Sequence, residues 1–192
     1  PPMRPDRLAV RLAAAAAGLL LLSTGLDVSG STEAAPPASS EKATAVALAT
    51  TTNPSAFGKE VLSLINKARA TKRKCGSTTY SAAKPLKWNT KLAAAALAHS
   101  KDMSVRNYFS HTSKSGRSPY SRIKATGYRY KAAGETLAAG YSTPKAVVNA
   151  WLKSKSHCKI LMSKSFTQVG VGFYSGGGKY TNYTTADFGK PK

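Results

Sequence analysis

Phe166-Thr167-Gln168-Val169-Gly170-Val171-Gly172-Phe173-Tyr174 alternates between two kinds of face. Side chains of an extended chain point to opposite sides with a period of two. Val169, Val171 and Phe173 therefore share one side, and Gln168, Gly170 and Gly172 share the other. The first side is built to pack. The second is nearly bare, which lets another element approach the backbone closely. Ser175-Gly176-Gly177-Gly178 reads as a hairpin turn, and Lys179 to Phe188 as the returning strand. Upstream, Tyr128 to Ala139 holds a further extended segment around Glu135.

Helical spacing fills the rest. Asn53-Pro54, Ser118-Pro119 and Thr143-Pro144 each place a capping residue before a proline, the signature of a helix start. The first helix carries Phe57, Val61, Leu64, Ile65 and Ala68 on one face. A loop with Cys75 and Gly76 follows it. The second helix starts after Asn89 and runs to about Asn107, with Leu92, Ala96, His99 and Met103 inward. Its alanines imply close packing against a neighbour. A short third helix carries Tyr120 and Ile123 and ends at Gly127. The fourth turns Val147, Val148, Trp151 and Leu152 inward. Helices flanking a small antiparallel sheet make the class α+β.

Charge and punctuation set the limits of that domain. Arg4, Arg7 and Arg11 precede an apolar run from Leu12 to Leu22, too short to span a bilayer and suited to a secretory signal peptide over residues 1–30. Residues 31–54 are rich in Ser, Thr, Ala and Pro and read as a disordered linker. The folded domain is expected over residues 55–192. Of the 29 Lys and Arg and the eight Asp and Glu, four of each precede residue 55, leaving 25 basic and four acidic residues in the domain. Those acids are Glu60, Asp102, Glu135 and Asp187. Such a surface attracts polyanions, and lysine-dominated charge favours diffuse attraction over sequence-specific reading of nucleic acid. The plain alternative is a solvated surface with no dedicated partner. Cys75 and Cys158 form an even pair, which in an exported chain reads as a disulfide; free or metal-bound thiols are the alternative.

Three punctuated segments carry the residue types that move protons and bind divalent metals: Tyr108-Phe109-Ser110-His111, Gly134-Glu135-Thr136, and Trp151 through Ser154 to His157-Cys158. His99, on the apolar stripe of the second helix, reads instead as a hydrogen-bonded core residue. Trp88 and Trp151 read as core anchors.

These marks resemble the CAP superfamily of cysteine-rich secretory, antigen 5 and pathogenesis-related-1 domains, in its compact secreted bacterial branch. The resemblance rests on Leu64-Ile65-Asn66 with Arg69, Leu86-Lys87-Trp88-Asn89, Ala98-His99-Ser100 with Met103, and Phe109-Ser110-His111. It continues through Gly127-Tyr128, Gly134-Glu135, Trp151 with Ser154 and His157, Val169-Gly170-Val171-Gly172, and Phe188-Gly189. It implies a three-layer α-β-α sandwich. It also implies a cavity lined by two histidines and two acids, matched here by His111, His157 and Glu135. Ser154 stands where the second acid is usual. Thr136 replaces an asparagine after the glutamate, and Thr184 and Ala186 replace an aromatic and an amide before Phe188-Gly189.

Three readings of His111, Glu135, Ser154 and His157 follow. They form a structural polar cluster, a conditional site for zinc or another divalent cation on His111, Glu135 and His157, or a catalytic centre with those three as candidates. No cofactor is required by the first. No nucleophile-elbow or metalloprotease signature accompanies the third. The expectation is a secreted or wall-associated monomer without a membrane helix in its mature form. It would be a non-enzymatic domain binding an anionic envelope polymer or, by resemblance, a lipid, with no specific nucleic acid partner. A metal-assisted or His/Glu-based hydrolase is the rival.

Overall fold

A computed structural model describes residues 55–192. The expected signal peptide, the linker and the Asn53-Pro54 helix start lie outside the described residues. In chain order the elements are α1 (Ala56–Arg69), β1 (Arg73–Cys75), β2 (Thr78–Tyr80), β3 (Lys87–Trp88), α2 (Thr90–Val105), α3 (Pro119–Ala125), β4 (Tyr130–Ala139), α4 (Pro144–Lys153), α5 (Lys155–Met162), β5 (Gln168–Ser175) and β6 (Asn182–Pro191). Side-chain caps explain most of the starts. Ser55, Asn89, Ser118 and Thr143 each accept a hydrogen bond from the first turn of the helix they precede. Ser55 thus takes the capping place at α1 that the sequence had pointed to at Asn53.

The main sheet has the order β3-β5-β6-β4. Its three long strands are antiparallel, as expected. The two-residue edge strand β3 runs parallel to β5, so that edge is mixed. The expected loop at Cys75 is a second, two-stranded hairpin of β1 and β2. An α+β three-layer arrangement results, with α1, α4 and α5 on one side of the sheet and α2 and α3 on the other.

The alternation in β5 decides what each face meets. Val169 and Val171 pack with Val61, Ile65, Val147, Val148, Trp151, Leu161 and Phe188 in the larger core. Phe173 stacks on Phe57 with ring centroids 4.1 Å apart. On the opposite face, a methyl group at Gly170 would overlap the backbone of Ala93, and one at Gly172 the backbone of Leu97. Helix α2 therefore rests directly on the strand. Ser100 locks the contact: its Oγ lies 2.9 Å from both Gly172 O and Thr185 Oγ1, so it donates to the carbonyl and accepts from the threonine. At the β4 edge of the sheet, the Trp151 indole donates to Leu137 O at 2.8 Å and satisfies an edge carbonyl.

The Cys75–Cys158 disulfide is formed, with Cα atoms 5.5 Å apart, and ties β1 to α5. The buried Arg69 reinforces the same corner. Its guanidinium donates to Leu161 O at 2.6 Å, Ser163 O at 2.8 Å and Lys84 O at 3.0 Å, and burial pulls its pKa down. Two segments distant from it in sequence thus converge on one side chain.

Gly172→Ala is expected to destabilise the domain by about 3 kcal/mol, because the added methyl meets helix backbone that cannot rotate away. Urea denaturation checks this; a loss below ~1 kcal/mol would mean that α2 lifts freely from the sheet.

Candidate functional site

Glu135 lies in the middle of β4, buried, with its side chain on the face toward α3. Its two oxygens have separate partners. Oε1 meets His111 Nδ1 at 2.6 Å, and Oε2 meets Arg122 Nη2 at 2.5 Å. Arg122 comes from the short helix α3 and is itself buried. Its Nη1 also donates to His111 O at 2.8 Å, Arg117 O at 2.9 Å and Ser113 Oγ at 3.2 Å. One guanidinium therefore closes the loop between α2 and α3 onto the sheet. A buried carboxylate needs such partners, since an isolated charge there would be costly.

The loop is anchored from the other side as well. His99 is 1 % exposed, and its Nε2 sits 2.9 Å from Ser110 O. A carbonyl only accepts, so that nitrogen carries the proton and the ring is the hydrogen-bonded core histidine expected from its place on α2. Burial lowers its pKa, against the pull of Glu135. Trp151 is a buried core anchor, and Trp88, half-buried, packs against the same core.

His111 differs from its neighbours in exposure: 51 % of its side chain reaches solvent, against 2 % for Glu135. With Nδ1 donating to the carboxylate, the neutral ring keeps Nε2 as a lone-pair acceptor. His157 is half-buried on α5. It makes no hydrogen bond with His111 or Glu135. Its pKa is lowered first by burial and then by His111, so the two imidazoles lie within electrostatic reach. Ser154 stands apart. It is the residue between α4 and α5, its Oγ is 3.2 Å from Ser156 Oγ, and it lines a cavity beside Cys75. The structure thus joins His111 to Glu135, brings His157 near, and places Ser154 in a different hollow.

Two members of the cluster were not singled out from the sequence. Arg122 is one; its signal was a basic residue next to the buried Ile123 in a helix of seven residues. The other is Asp187. It faces Glu135 across the β4–β6 ladder and is fully buried. Neither of its oxygens has a hydrogen-bond partner among the described residues. Burial, and next the charge of Glu135, hold its carboxyl well above the usual range, while Arg122 pulls the other way. Burial beside a second carboxyl therefore favours the protonated form of Asp187.

This donor set does not fit a three-ligand metal site. Both Glu135 oxygens are engaged, a guanidinium sits on the carboxylate, and the second acid position is a serine, which leaves His111 Nε2 and the His157 ring as the open donors. Zinc needs three or four nitrogen, sulfur or carboxylate donors. Among the described residues, no group of three or more His, Cys, Asp and Glu side chains is placed to hold an ion. For hydrolysis, the pair supplies an oriented base but no nucleophile. Ser110, the adjacent hydroxyl, accepts from Thr112 N at 3.2 Å rather than meeting the ring.

Asp187 binds its proton more tightly when folded. Its contribution to stability is therefore present below the ordinary carboxylate pKa and declines as pH rises toward the folded value. Asp187→Asn copies the protonated form. It is expected to raise stability near neutral pH by ~1 kcal/mol or more while leaving stability near pH 4 almost unchanged. Thermal melts across that range check it; a lower midpoint at neutral pH would overturn the protonated assignment.

The profile of the cysteine-rich secretory protein family, CAP, matches residues 62–188. The uncharacterized protein YkwD of Bacillus subtilis (strain 168) is 38% identical over 145 residues, covering 76% of this chain and 52% of that protein. The uncharacterized membrane protein YlbC of the same organism is 39% identical over 87 residues, 45% of this chain and 25% of YlbC. The chain thus spans about half or less of the length of these relatives. Among solved structures, an extracellular protein containing an SCP domain from Bacillus anthracis str. Ames aligns with a TM-score of 0.58 at 29% identity, over 70% of this chain and 40% of that one. An outer surface protein of Borrelia burgdorferi aligns with a TM-score of 0.54 at 22% identity, over 70% and 95%, and shares the fold. With the profile covering most of the domain and the sandwich in place, the chain belongs to the cysteine-rich secretory protein (CAP) family.

Proposed function

We propose that this CAP domain is an exported, non-enzymatic binding module for an anionic polymer of the cell envelope. One observation carries the reading: folding removes negative charge from the surface and leaves positive charge on it. Of the four acids in the domain, Glu135 and Asp187 are buried. Asp102 is partly covered, paired with Arg106 at 3.0 Å and hydrogen-bonded by Tyr108. Glu60 is the one exposed acidic residue among the described residues. Of the 25 basic residues, only Arg69 and Arg122 are buried. A surface of this kind concentrates polyanions and repels copies of itself. The apolar run after Arg4, Arg7 and Arg11 supports export. So does the fold shared with a Bacillus anthracis protein described as extracellular.

The His111–Glu135 contact favours a second reading, a His/Glu-based hydrolase that activates water. An orienting carboxylate behind a half-exposed imidazole is the arrangement of a general base. Binding and hydrolysis separate cleanly by experiment. Binding of the full chain to purified anionic wall polymer is expected to weaken roughly tenfold or more between about 50 and about 300 mM NaCl. Affinity unchanged by salt would sink the polymer reading. The double variant His111→Ala/His157→Ala, which leaves every lysine and arginine in place, is expected to keep polymer affinity within about twofold. Wild-type hydrolysis of wall material that disappears in this variant would establish the rival instead.

A further inference from the structure

The cavity beside the disulfide has a volume of about 440 Å³. Its walls come from the β1–β2 hairpin and the start of α5, which the Cys75–Cys158 bond holds together. The polar side chains lining it are Thr78, Tyr80, Ser154, Lys155, Ser156 and Lys159. Each can donate a hydrogen bond, and none is a carboxylate. Lys155 and Lys159 are exposed and one helical turn apart, which sets their Cβ atoms roughly 6 Å from each other. Lys155 is not loose: its stem packs on Gly76, where a methyl group would come within 2.8 Å of Cγ and Cδ. The hairpin register sets Arg73 opposite Tyr80 and Cys75 opposite Thr78, so Arg73 shares the face that lines the cavity. Its Nε is buried without a partner among the described residues.

We infer that this cavity is an anion subsite that takes a phosphate group of a flexible phosphodiester polymer. The inference rests on the polymer reading above and adds the place where the polymer is gripped. Phosphate suits the polar groups present: lysine binds it as a point charge, and the ammoniums and hydroxyls can meet its tetrahedrally arranged oxygens, while most of the wall area is apolar. Two ammoniums one turn apart match charges that recur along a chain. No acid in the walls opposes them.

Immobilised poly(glycerol phosphate), titrated with the full chain at about 50 mM NaCl, tests the inference. Lys155→Ala/Lys159→Ala is expected to weaken binding about tenfold, and Lys101→Ala/Lys131→Ala, which removes equal charge from α2 and β4, less than about threefold. Ser156→Asp puts a carboxylate into the wall without removing a lysine, and is expected to weaken binding at least as much as the first pair. Circular dichroism and an intact disulfide by mass confirm that the variants fold. Equal losses for the two lysine pairs would overturn the subsite and leave the polymer reading standing. No binding by the wild type would overturn the polymer reading itself. Duplex DNA is expected to show equal losses for both pairs; a loss confined to the cavity pair on DNA would overturn the choice of polymer.

Discussion

Helix α2 lies on strand β5 with no side chain between the two backbones at Gly170 and Gly172. Everything on that side of the sheet depends on this approach. It seats Leu92, Ala95 and Ala96 in the interior, brings Ser100 onto the carbonyl of Gly172, and buries Met103 against Leu137 and Tyr183. It also sets the point from which the chain leaves α2 toward His111. Tyr108 N bonds back to Met103 O at 3.0 Å, and His99 holds Ser110, so the exit path is tied to the helix before the loop begins. A larger residue at either glycine would push the helix outward and move the candidate site with it.

The same packing decides where charge resides. A domain with 25 basic and four acidic residues has few ways to neutralise itself. Here two of those acids point inward, one bonded to Arg122 and His111, the other facing its partner across the ladder with its carboxyl pKa pushed up by burial. The interior ion pair stabilises only because its hydrogen bonds are well supplied; Arg122 alone meets four acceptors. With those acids withdrawn, the outer surface is almost a pure polycation. The polar cluster and the basic exterior are therefore two results of one partition, and the proposed binding function follows from the exterior.

The disulfide corner is a separate mechanical unit. The chain turns from α1 into the small hairpin, and the Cys75–Cys158 bond, separated by 83 residues, fastens that hairpin to α5. In the chain-entropy account such a closure stabilises the fold by about 4–5 kcal/mol. Arg69 supports it from inside by donating to carbonyls on either side of the corner. Lys155 gains a defined position at this corner, where its stem packs on Gly76.

Much of this was legible in the residues themselves. The glycine face of β5, the helix caps at Asn89, Ser118 and Thr143 and the inward stripe of α2 depend on local geometry, which a one-dimensional pattern records directly, and the disulfide was legible because the chain has just two cysteines. The helix break at Ser154, the short strands β1 to β3 and the parallel edge were not legible. Segments of two or three residues carry too little periodicity, and α5 exists because its inner residues Cys158, Leu161 and Met162 find partners far away. The sequence alone settled the fold family, the strong positive charge and the residue types at His111, Glu135 and His157. Only the tertiary structure decided that His111 and Glu135 touch, that Arg122 and Asp187 join them, and that Ser154 faces another cavity. Those contacts join residues whose spacing along the chain says nothing about their distance in space. The upward push on the Asp187 carboxyl is likewise a property of the folded interior, where the water that would otherwise solvate it has been removed.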